Sequence, residues 1–345
     1  MSGRFVFRFT QAWWARNHQF TFGSRYYLDP VYRTELSLRM EETLRRELPD
    51  VPVRCFTQVP GAIGLGLVPT NVFLGVCGAR IVFPENEDPW AVTPLLPSAE
   101  AMRDFRAPDL ASSAFVMQLV EQFQTLLLRF PAASIDAFGT GATAVLHTSL
   151  VNGYKLVGDA FFPLMYEQPT LVHDFLARLT EMNQRLVDFF ADLRGATIED
   201  LNLSDCVASL LSPRLYDEFG VPYNAQLVAR YHASYGVHSC GPSTHIVASL
   251  VRTPGARWCE VGWSAVTGHT DLSTTRRVLE SAGCPELKVL LTPGEVLLWS
   301  EEDIRQSIME LKAAAGPGEL VVRAILEDGV SLAKVRVLYQ AVESA

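Results

Sequence analysis

From Pro49 onward, short β-rich runs alternate with long amphipathic helical runs, and this alternation constrains the fold more than any other feature. It is typical of successive βαβ units built around a parallel sheet. Eight apolar runs are predicted strands, namely residues 51–56, 72–83, 134–138, 197–203, 235–240, 258–263, 288–291 and 320–326. Eight strands fit a closed (β/α)₈ TIM barrel of the α/β class, and an open flavodoxin-like sheet is the alternative.

The helical runs and the first residues complete the predicted architecture. Residues 112–129 and 171–193 each place apolar side chains on one helical face, and Ser300 precedes three acidic residues that predict a helix start. The first 50 residues are rich in aromatic side chains. We therefore expect residues 1–345 to form a single domain, in which an N-terminal helical and aromatic cap segment (1–50) precedes the barrel (51–345).

Composition and charge exclude several classes of protein. Hydrophobic residues make up 48% of the 345 residues and charged residues 19%, which predicts a globular chain. The net charge of -9 and the scattered basic residues argue against nucleic acid as a partner. No run approaches the roughly 18 apolar residues of a membrane helix, and the start does not resemble a secretory signal. We expect a cytoplasmic protein without membrane contact. The sequence leaves open whether the protein forms a homodimer.

The six cysteines are spread over a long chain, which favours free thiols or metal ligands over a disulfide framework. His238-Ser239-Cys240 ends one predicted strand, where extended backbone places His238 and Cys240 on the same face. Gly241 and Pro242 end the strand, so the pair lies at the carboxyl end, where barrel active sites lie. Imidazole and thiolate suit Zn²⁺, which needs at least one further protein ligand. A buried cysteine beside a hydrogen-bonded histidine is the alternative.

Carboxylates follow two other predicted strands. Asp205 comes shortly after residues 197–203, and Glu327 and Asp328 follow residues 320–326. These positions place the carboxylates near the mouth of the predicted barrel, and the alternatives are a turn cap at Asp205 and an Asp-Gly turn at Asp328. Further side chains predicted to contact a substrate, each of which can equally pack or lie on the surface, are Trp90, Trp263 and His245.

Several of these segments together resemble the uroporphyrinogen decarboxylase-like superfamily. The most specific are the Ser-Pro-x-x-Tyr-x-x-Phe pattern within residues 211–223 and His238-Ser239-Cys240-Gly241, and Asp205-Cys206 precedes them. Arg25-Tyr26-Tyr27 is similar to the amino-terminal arginine segment of the decarboxylase, and residues 150–153 look like part of its central helices. The superfamily comprises the decarboxylase and zinc-dependent methyltransferases that move a methyl group from a corrinoid protein to a thiol. The resemblance implies an enzyme on a (β/α)₈ barrel.

Departures from the family pattern change the expected reaction. Ser149 stands where the decarboxylase has a tyrosine, and Asp328 stands where it has a histidine, so uroporphyrinogen decarboxylation is not expected. The methyltransferases place a second cysteine ligand at this late position. The resemblance therefore implies His238, Cys240 and Asp328 as ligands of Zn²⁺, with Glu327 or a cysteine as the rival third ligand.

The first functional hypothesis is a Zn²⁺-dependent group transferase that moves a methyl group to or from a thiol or small substrate. The alternative is a metal-free decarboxylase or lyase, in which Arg25 and other amino-terminal basic groups clamp a carboxylated small molecule while Asp205 or Asp328 moves protons. Tyr27 is predicted to bind the substrate beside Arg25. A non-catalytic ligand-binding barrel is a third class. The sequence has no Asp-x-His-x-x-Gly motif, so any corrinoid has to arrive on a separate carrier protein.

Overall fold

The computed structural model describes residues 3–52, 62–131, 133–264 and 268–344. These ranges contain the strands β1 (Arg4–Phe9), β2 (Ala62–Gly64), β3 (Ile81–Val82), β4 (Trp90–Ala91), β5 (Ser134–Asp136), β6 (Gly139–Thr140), β7 (Thr143–His147), β8 (Asp200–Ser204), β9 (Ser234–Ser239), β10 (Ala256–Ser264), β11 (Gly268–His269), β12 (Glu286–Leu291) and β13 (Glu319–Leu326).

The same ranges contain the helices α1 (Gln11–His18), α2 (Ser24–Leu28), α3 (Pro30–Glu47), α4 (Pro69–Val76), α5 (Ala99–Asp104), α6 (Ala114–Arg129), α7 (Ser149–Val157), α8 (Phe161–Glu167), α9 (Pro169–Arg194), α10 (Pro213–Phe219), α11 (Val221–Tyr231), α12 (Val247–Leu250), α13 (Leu272–Ser281), α14 (Pro293–Leu298), α15 (Glu301–Ala315) and α16 (Leu332–Glu343). None of these helices is long and apolar enough to cross a membrane.

The main sheet confirms the predicted α/β class. Its strands follow the order β1-β13-β12-β10-β9-β8-β7-β6, with β11 added to β10. Every neighbouring pair from β7 to β1 is parallel, and β6 is antiparallel to β7. Within the described residues the sheet keeps two ends, at β1 and β6, so closure into a complete barrel stays a prediction.

The amino-terminal segment supplies a strand as well as helices. β1 pairs with β13 over its whole length, from Arg4 opposite Val321 to Phe9 opposite Leu326. Phe9 then stacks on Trp13, with ring centroids 3.7 Å apart. The predicted cap of residues 1–50 therefore shares the main sheet with the rest of the chain, because its first aromatic residues form a strand rather than a helix.

Most predicted elements after residue 130 are confirmed, whereas the first two strand predictions are not. The run 72–83 is wrong as one strand, because its first residues belong to α4 and only Ile81–Val82 form a strand, β3. Pro69 begins this helix, and the apolar run is buried on all sides, a pattern that periodicity cannot distinguish from a buried strand. The predicted strand 51–56 lies mostly outside the described residues, and β7 was not predicted. The predicted helices 112–129 and 171–193 correspond to α6 and α9.

Candidate active site

The carboxyl ends of β8 and β9 bring two cysteines and a histidine together. Ser204 lies opposite His238 in the parallel register, and the backbone N–H of Asp205 donates to the His238 carbonyl at 2.7 Å. Cys206 and Cys240 each follow this pair by two residues. A ring nitrogen of His238 and the Sγ atoms of Cys206 and Cys240 all lie within 4.8 Å of one another. We call these three side chains the Cys206–His238–Cys240 group.

The buried carboxylate of Glu260 orients His238. Glu260 lies opposite His238 across β9 and β10, and its Oε2 is 2.5 Å from Nδ1 of the imidazole. Arg323 of β13 donates from Nη1 to both Glu260 oxygens, at 3.1 and 2.8 Å. Burial raises the pKa of Glu260, but its hydrogen bond with His238 and the charge of Arg323 outweigh burial and lower the pKa to about 2. With Nδ1 committed to Glu260, the other ring nitrogen is left for Cys240, to which His238 is also hydrogen-bonded, or for a metal once that nitrogen has lost its proton.

Hydrogen bonds within the group set the protonation of its members. The hydrogen bond with Cys206 is the largest influence on Cys240 and, together with His238, it lowers the pKa of the Cys240 thiol to about 5. The same hydrogen bond, reinforced by burial, raises the pKa of Cys206. Burial acts to lower the pKa of His238, but hydrogen bonds with Cys240 and Glu260 raise it to about 9. At neutral pH the group therefore carries a thiolate at Cys240 beside an imidazolium at His238.

Asp205, predicted as a catalytic residue, is buried behind the group. Its Oδ2 accepts hydrogen bonds from the Tyr216 hydroxyl at 2.7 Å and the Asn224 side-chain amide at 3.1 Å. Burial raises the pKa of Asp205, although both hydrogen bonds oppose that shift. Tyr216 comes from the Ser-Pro-x-x-Tyr pattern, whose Ser212 caps α10. That pattern therefore holds the turn between β8 and α10 in place.

A second histidine lies in the same row across the sheet. His147 ends β7 opposite Ser204, which in turn lies opposite His238. Burial, with a smaller contribution from the charge of His238, lowers the pKa of His147 to about 4, so its imidazole is neutral at neutral pH. Its Nδ1 has no hydrogen-bond partner among the described residues.

Asp328 does not join the Cys206–His238–Cys240 group in this structure. Its Oδ2 is 2.8 Å from Nη1 of Arg16, and Cys206 takes the third position that the sequence assigned to Asp328. The strand order explains the difference: β8 is the direct neighbour of β9, whereas β12 and β10 separate β13 from β9. Glu327, the rival carboxylate, precedes Asp328 in the same turn.

The two amino-terminal residues predicted to bind a substrate contact other residues of the chain. Arg25 is mostly exposed; its Nε lies 3.9 Å from Asp29 Oδ2, and its guanidinium lies 4.2 Å from the Tyr32 ring centroid. Tyr27 is buried and its hydroxyl accepts a hydrogen bond from the Gln11 side chain. The roles of both side chains toward a substrate stay predictions.

The remaining predicted contacts also have local partners. Trp263 is buried and stacks on His269 with centroids 4.2 Å apart, and Trp90 is half exposed on β4. His245 places Nε2 3.0 Å from the Leu211 carbonyl oxygen. Substrate binding by Trp90, Trp263 and His245 therefore stays a prediction.

Four residues at or beside the site were not assigned to it from the sequence: His147, Glu260, Arg323 and also Cys206, which was named only within the family resemblance. Glu260 carried a usable signal, since a carboxylate in the middle of an apolar strand needs a buried partner. Cys206 carried another, because it directly follows the candidate Asp205. Neither signal shows which neighbouring strand carries the residues that Glu260 or Cys206 contacts.

Comparison with known proteins identifies the family of the chain and a solved structure that shares its fold. The sequence model described as uroporphyrinogen decarboxylase (URO-D) matches residues 71–322, which is more than half of the chain. Among solved structures, a methyltransferase from Methanosarcina mazei is 15% identical, with 99% of this chain and 93% of that chain covered at a TM-score of 0.64, and this likeness shows a shared fold.

Two further structural matches are too weak to carry an argument. An enolase protein from the environmental genome shotgun sequencing of the Sargasso Sea is 10% identical over 55% of this chain and 49% of that chain, with a TM-score of 0.24. A mandelate racemase/muconate lactonizing enzyme from Polaromonas sp. JS666 is 13% identical over 64% of this chain and 50% of that chain, with a TM-score of 0.23. No curated protein matches the sequence. The match over residues 71–322 decides the assignment, and the chain belongs to the uroporphyrinogen decarboxylase (URO-D) family.

Proposed function

We propose that this protein is a Zn²⁺-dependent group transferase that moves a methyl group to or from a thiol. The observation that carries the proposal is the Cys206–His238–Cys240 group, whose three donor atoms lie within 4.8 Å of one another. Two thiolates and one imidazole are a donor set that suits Zn²⁺. Three protein ligands leave the fourth position of a tetrahedral site for a substrate.

The surrounding residues support this chemistry. Bound Zn²⁺ lowers the pKa of a coordinated thiol and so provides a thiolate nucleophile at neutral pH. Glu260 accepts a hydrogen bond from Nδ1 of His238 and fixes the ring orientation, while Arg323 balances the charge of the carboxylate. The lowered pKa of Cys240 favours its thiolate form, whereas Cys206 and His238, whose pKa values are raised, each give up a proton when a metal binds.

Family membership supports an enzyme of the decarboxylase or methyltransferase type only at that coarse level. The methyl donor is proposed to be a small molecule or a corrinoid on a separate carrier protein. The metal-free lyase receives less support, because Arg25, its proposed carboxylate clamp, is exposed beside Asp29.

Metal analysis tests the proposal directly. After zinc-supplemented expression, the wild-type protein is expected to hold about one zinc ion per chain. His238→Ala and Cys206→Ser are expected to lose it, whereas Cys284→Ser, which removes a buried thiol outside the group, is expected to keep it. Asp328→Asn decides between the two third ligands: we expect it to retain zinc. Zinc loss in Asp328→Asn but not in Cys206→Ser would contradict the ligand set proposed here.

Cobalt substitution tests the thiol substrate. A Co²⁺-loaded site with two thiolate ligands gives visible absorption bands, and an added substrate thiol is expected to shift them by occupying the open position. A panel of small thiols and matched alcohols provides the control. A Co²⁺ spectrum that no thiol changes would contradict the proposed thiol substrate. A wild-type protein that binds no divalent ion would contradict the transferase and favour the metal-free lyase.

A further inference from the structure

We propose that Cys206 and Cys240 form a reversible disulfide, so that oxidation closes the candidate metal centre. The proposal that this disulfide regulates the metal centre rests on the proposed function. The disulfide itself forms without a metal. It is carried by the placement of the two cysteines at the ends of adjacent parallel strands.

The backbone brings the two cysteines face to face. The β8–β9 register ends with Ser204 opposite His238, and Cys206 and Cys240 each lie two residues beyond this pair. The hydrogen bond from Asp205 to the His238 carbonyl extends the pairing beyond the end of β8. Neighbouring strands lie about 4.8 Å apart, and disulfide-bonded cysteines have Cα atoms about 4.4–6.8 Å apart. The two Sγ atoms lie within 4.8 Å of each other, and a disulfide requires them to approach to about 2.05 Å.

The two thiols differ in access, which assigns their roles. Cys240 is exposed and hydrogen-bonded to His238, whereas Cys206 is partly buried behind it. Among the other free cysteines in the described residues, Cys259 and Cys284 are buried, and Cys77 is partly buried against Met182. Cys240 is therefore the attacking thiol, and Cys206 is the resolving thiol.

The exchange balances with a small-molecule disulfide as the oxidant. The Cys240 thiolate attacks one sulfur, forms a mixed disulfide and releases the first small thiol. Cys206 then gives up its proton, attacks the Cys240 sulfur and releases the second small thiol. Two cysteine sulfurs are oxidised and one small disulfide is reduced. The first released thiolate takes up a proton from solvent, and the second takes up the proton that Cys206 gave up. The product withdraws two of the three side chains of the group from metal binding.

Glutathione disulfide is the probe for this reaction, and tryptic peptides read it out. Cys206 and Cys240 lie in separate predicted tryptic peptides, 195–214 and 231–252, each with a single cysteine. In the full-length protein, with and without chelator pretreatment, we expect a cross-link between these peptides that dithiothreitol removes. The zinc-loaded protein is expected to release its zinc as the cross-link forms. Cys206→Ser is expected to stop at a glutathione adduct on Cys240, and Cys284→Ser is expected to behave like the wild type.

The result on the wild-type chain decides the inference even if a variant fails to fold. If Cys206 remains open to alkylation and no 195–214 to 231–252 cross-link appears in chelator-treated protein at saturating glutathione disulfide, the inference is overturned. Zinc binding without a cross-link after chelation overturns the disulfide and leaves the proposed function intact. A cross-link in a protein that never binds a divalent ion supports the disulfide while contradicting the proposed function.

Discussion

Glu260 is the most constrained residue of the site. Its carboxylate is fully buried within β10, and an ionised carboxylate in such a position is stable only with charged or hydrogen-bonding partners. His238 and Arg323 are such partners, and each lies within hydrogen-bond distance of the carboxylate. The carboxylate therefore links the imidazole of the candidate metal centre, on β9, to a guanidinium on β13, which is three strands away in the sheet.

Replacing Glu260 with glutamine tests this link. Glutamine keeps the size of the side chain but removes its charge, so His238 loses its anionic partner and its fixed orientation. We expect zinc affinity to fall by about 10–100-fold, the effect typical of losing such a partner of a metal-binding histidine. Competition with a chromophoric chelator measures the dissociation constant. Glu121→Gln, an exposed change on α6, is the matched control and is expected to bind zinc as the wild type does. Equal affinities in the two variants would show that Glu260 does not support the site.

At the residue scale, the sequence predicts what one strand contains and little of what its neighbours add. His238 and Cys240 could be paired because alternate residues of a strand share a face. Cys206 could not be joined to them, since that requires knowing that β8 lies beside β9. Asp328 was assigned to the group on resemblance alone, and the structure places it with Arg16 instead.

At the element scale, the turn after β9 is held against β10 by a close backbone approach. The Gly262 N–H donates to the Gly241 carbonyl at 3.2 Å, and the Thr270 hydroxyl donates to the Gly262 carbonyl at 2.6 Å. A Cβ at Gly262 would lie 2.2 Å from the Cys240 carbonyl oxygen. The absence of a side chain at Gly262 thus allows Cys240 to sit where it contacts His238.

Gly262→Ala is expected to destabilise the fold and displace Cys240. Forcing a methyl group against a backbone carbonyl in a packed region lowers the free energy of unfolding by about 1–3 kcal/mol. Urea unfolding monitored by circular dichroism measures this change, and the alkylation rate of Cys240 reports its displacement. Gly294→Ala in α14 is the matched control, because an added Cβ there meets no atom of the described chain within 4 Å. A Gly262→Ala protein as stable as this control would contradict the close approach.

The elements themselves were predictable to different degrees for physical reasons. α15 begins with a capping box at Ser300 and Asp303, a local signal that the sequence carries in full. α4 gave no such signal, because every side of its apolar run is buried between neighbouring helices and strands. The strand β1 was also missed, since its role depends on β13, more than 300 residues later in the chain.

At the scale of the whole molecule, the buried guanidinium of Arg33 connects parts of the amino-terminal half. Its Nε donates to the Gly64 carbonyl at 3.0 Å, and Nη1 donates to the carbonyls of Tyr26 and Tyr27 at 3.2 and 3.1 Å. Nη2 donates to Gln122 Oε1 at 3.1 Å. Burial lowers the pKa of Arg33 to about 10, which leaves it charged at neutral pH. One side chain on α3 thus joins α2, β2 and α6.

Arg33→Met is expected to lower the free energy of unfolding by about 3–5 kcal/mol, because it leaves several buried carbonyl oxygens without donors. Arg33→Lys should lose less, since an ammonium group keeps the charge but cannot reach all the acceptors that the planar guanidinium serves. Arg45→Met removes an exposed arginine from the same helix and is expected to change stability by no more than about 0.5 kcal/mol. Urea midpoints of the three variants, compared at equal zinc loading, provide the measurement. If Arg33→Met unfolds at the same urea concentration as Arg45→Met, the amino-terminal half does not depend on this guanidinium.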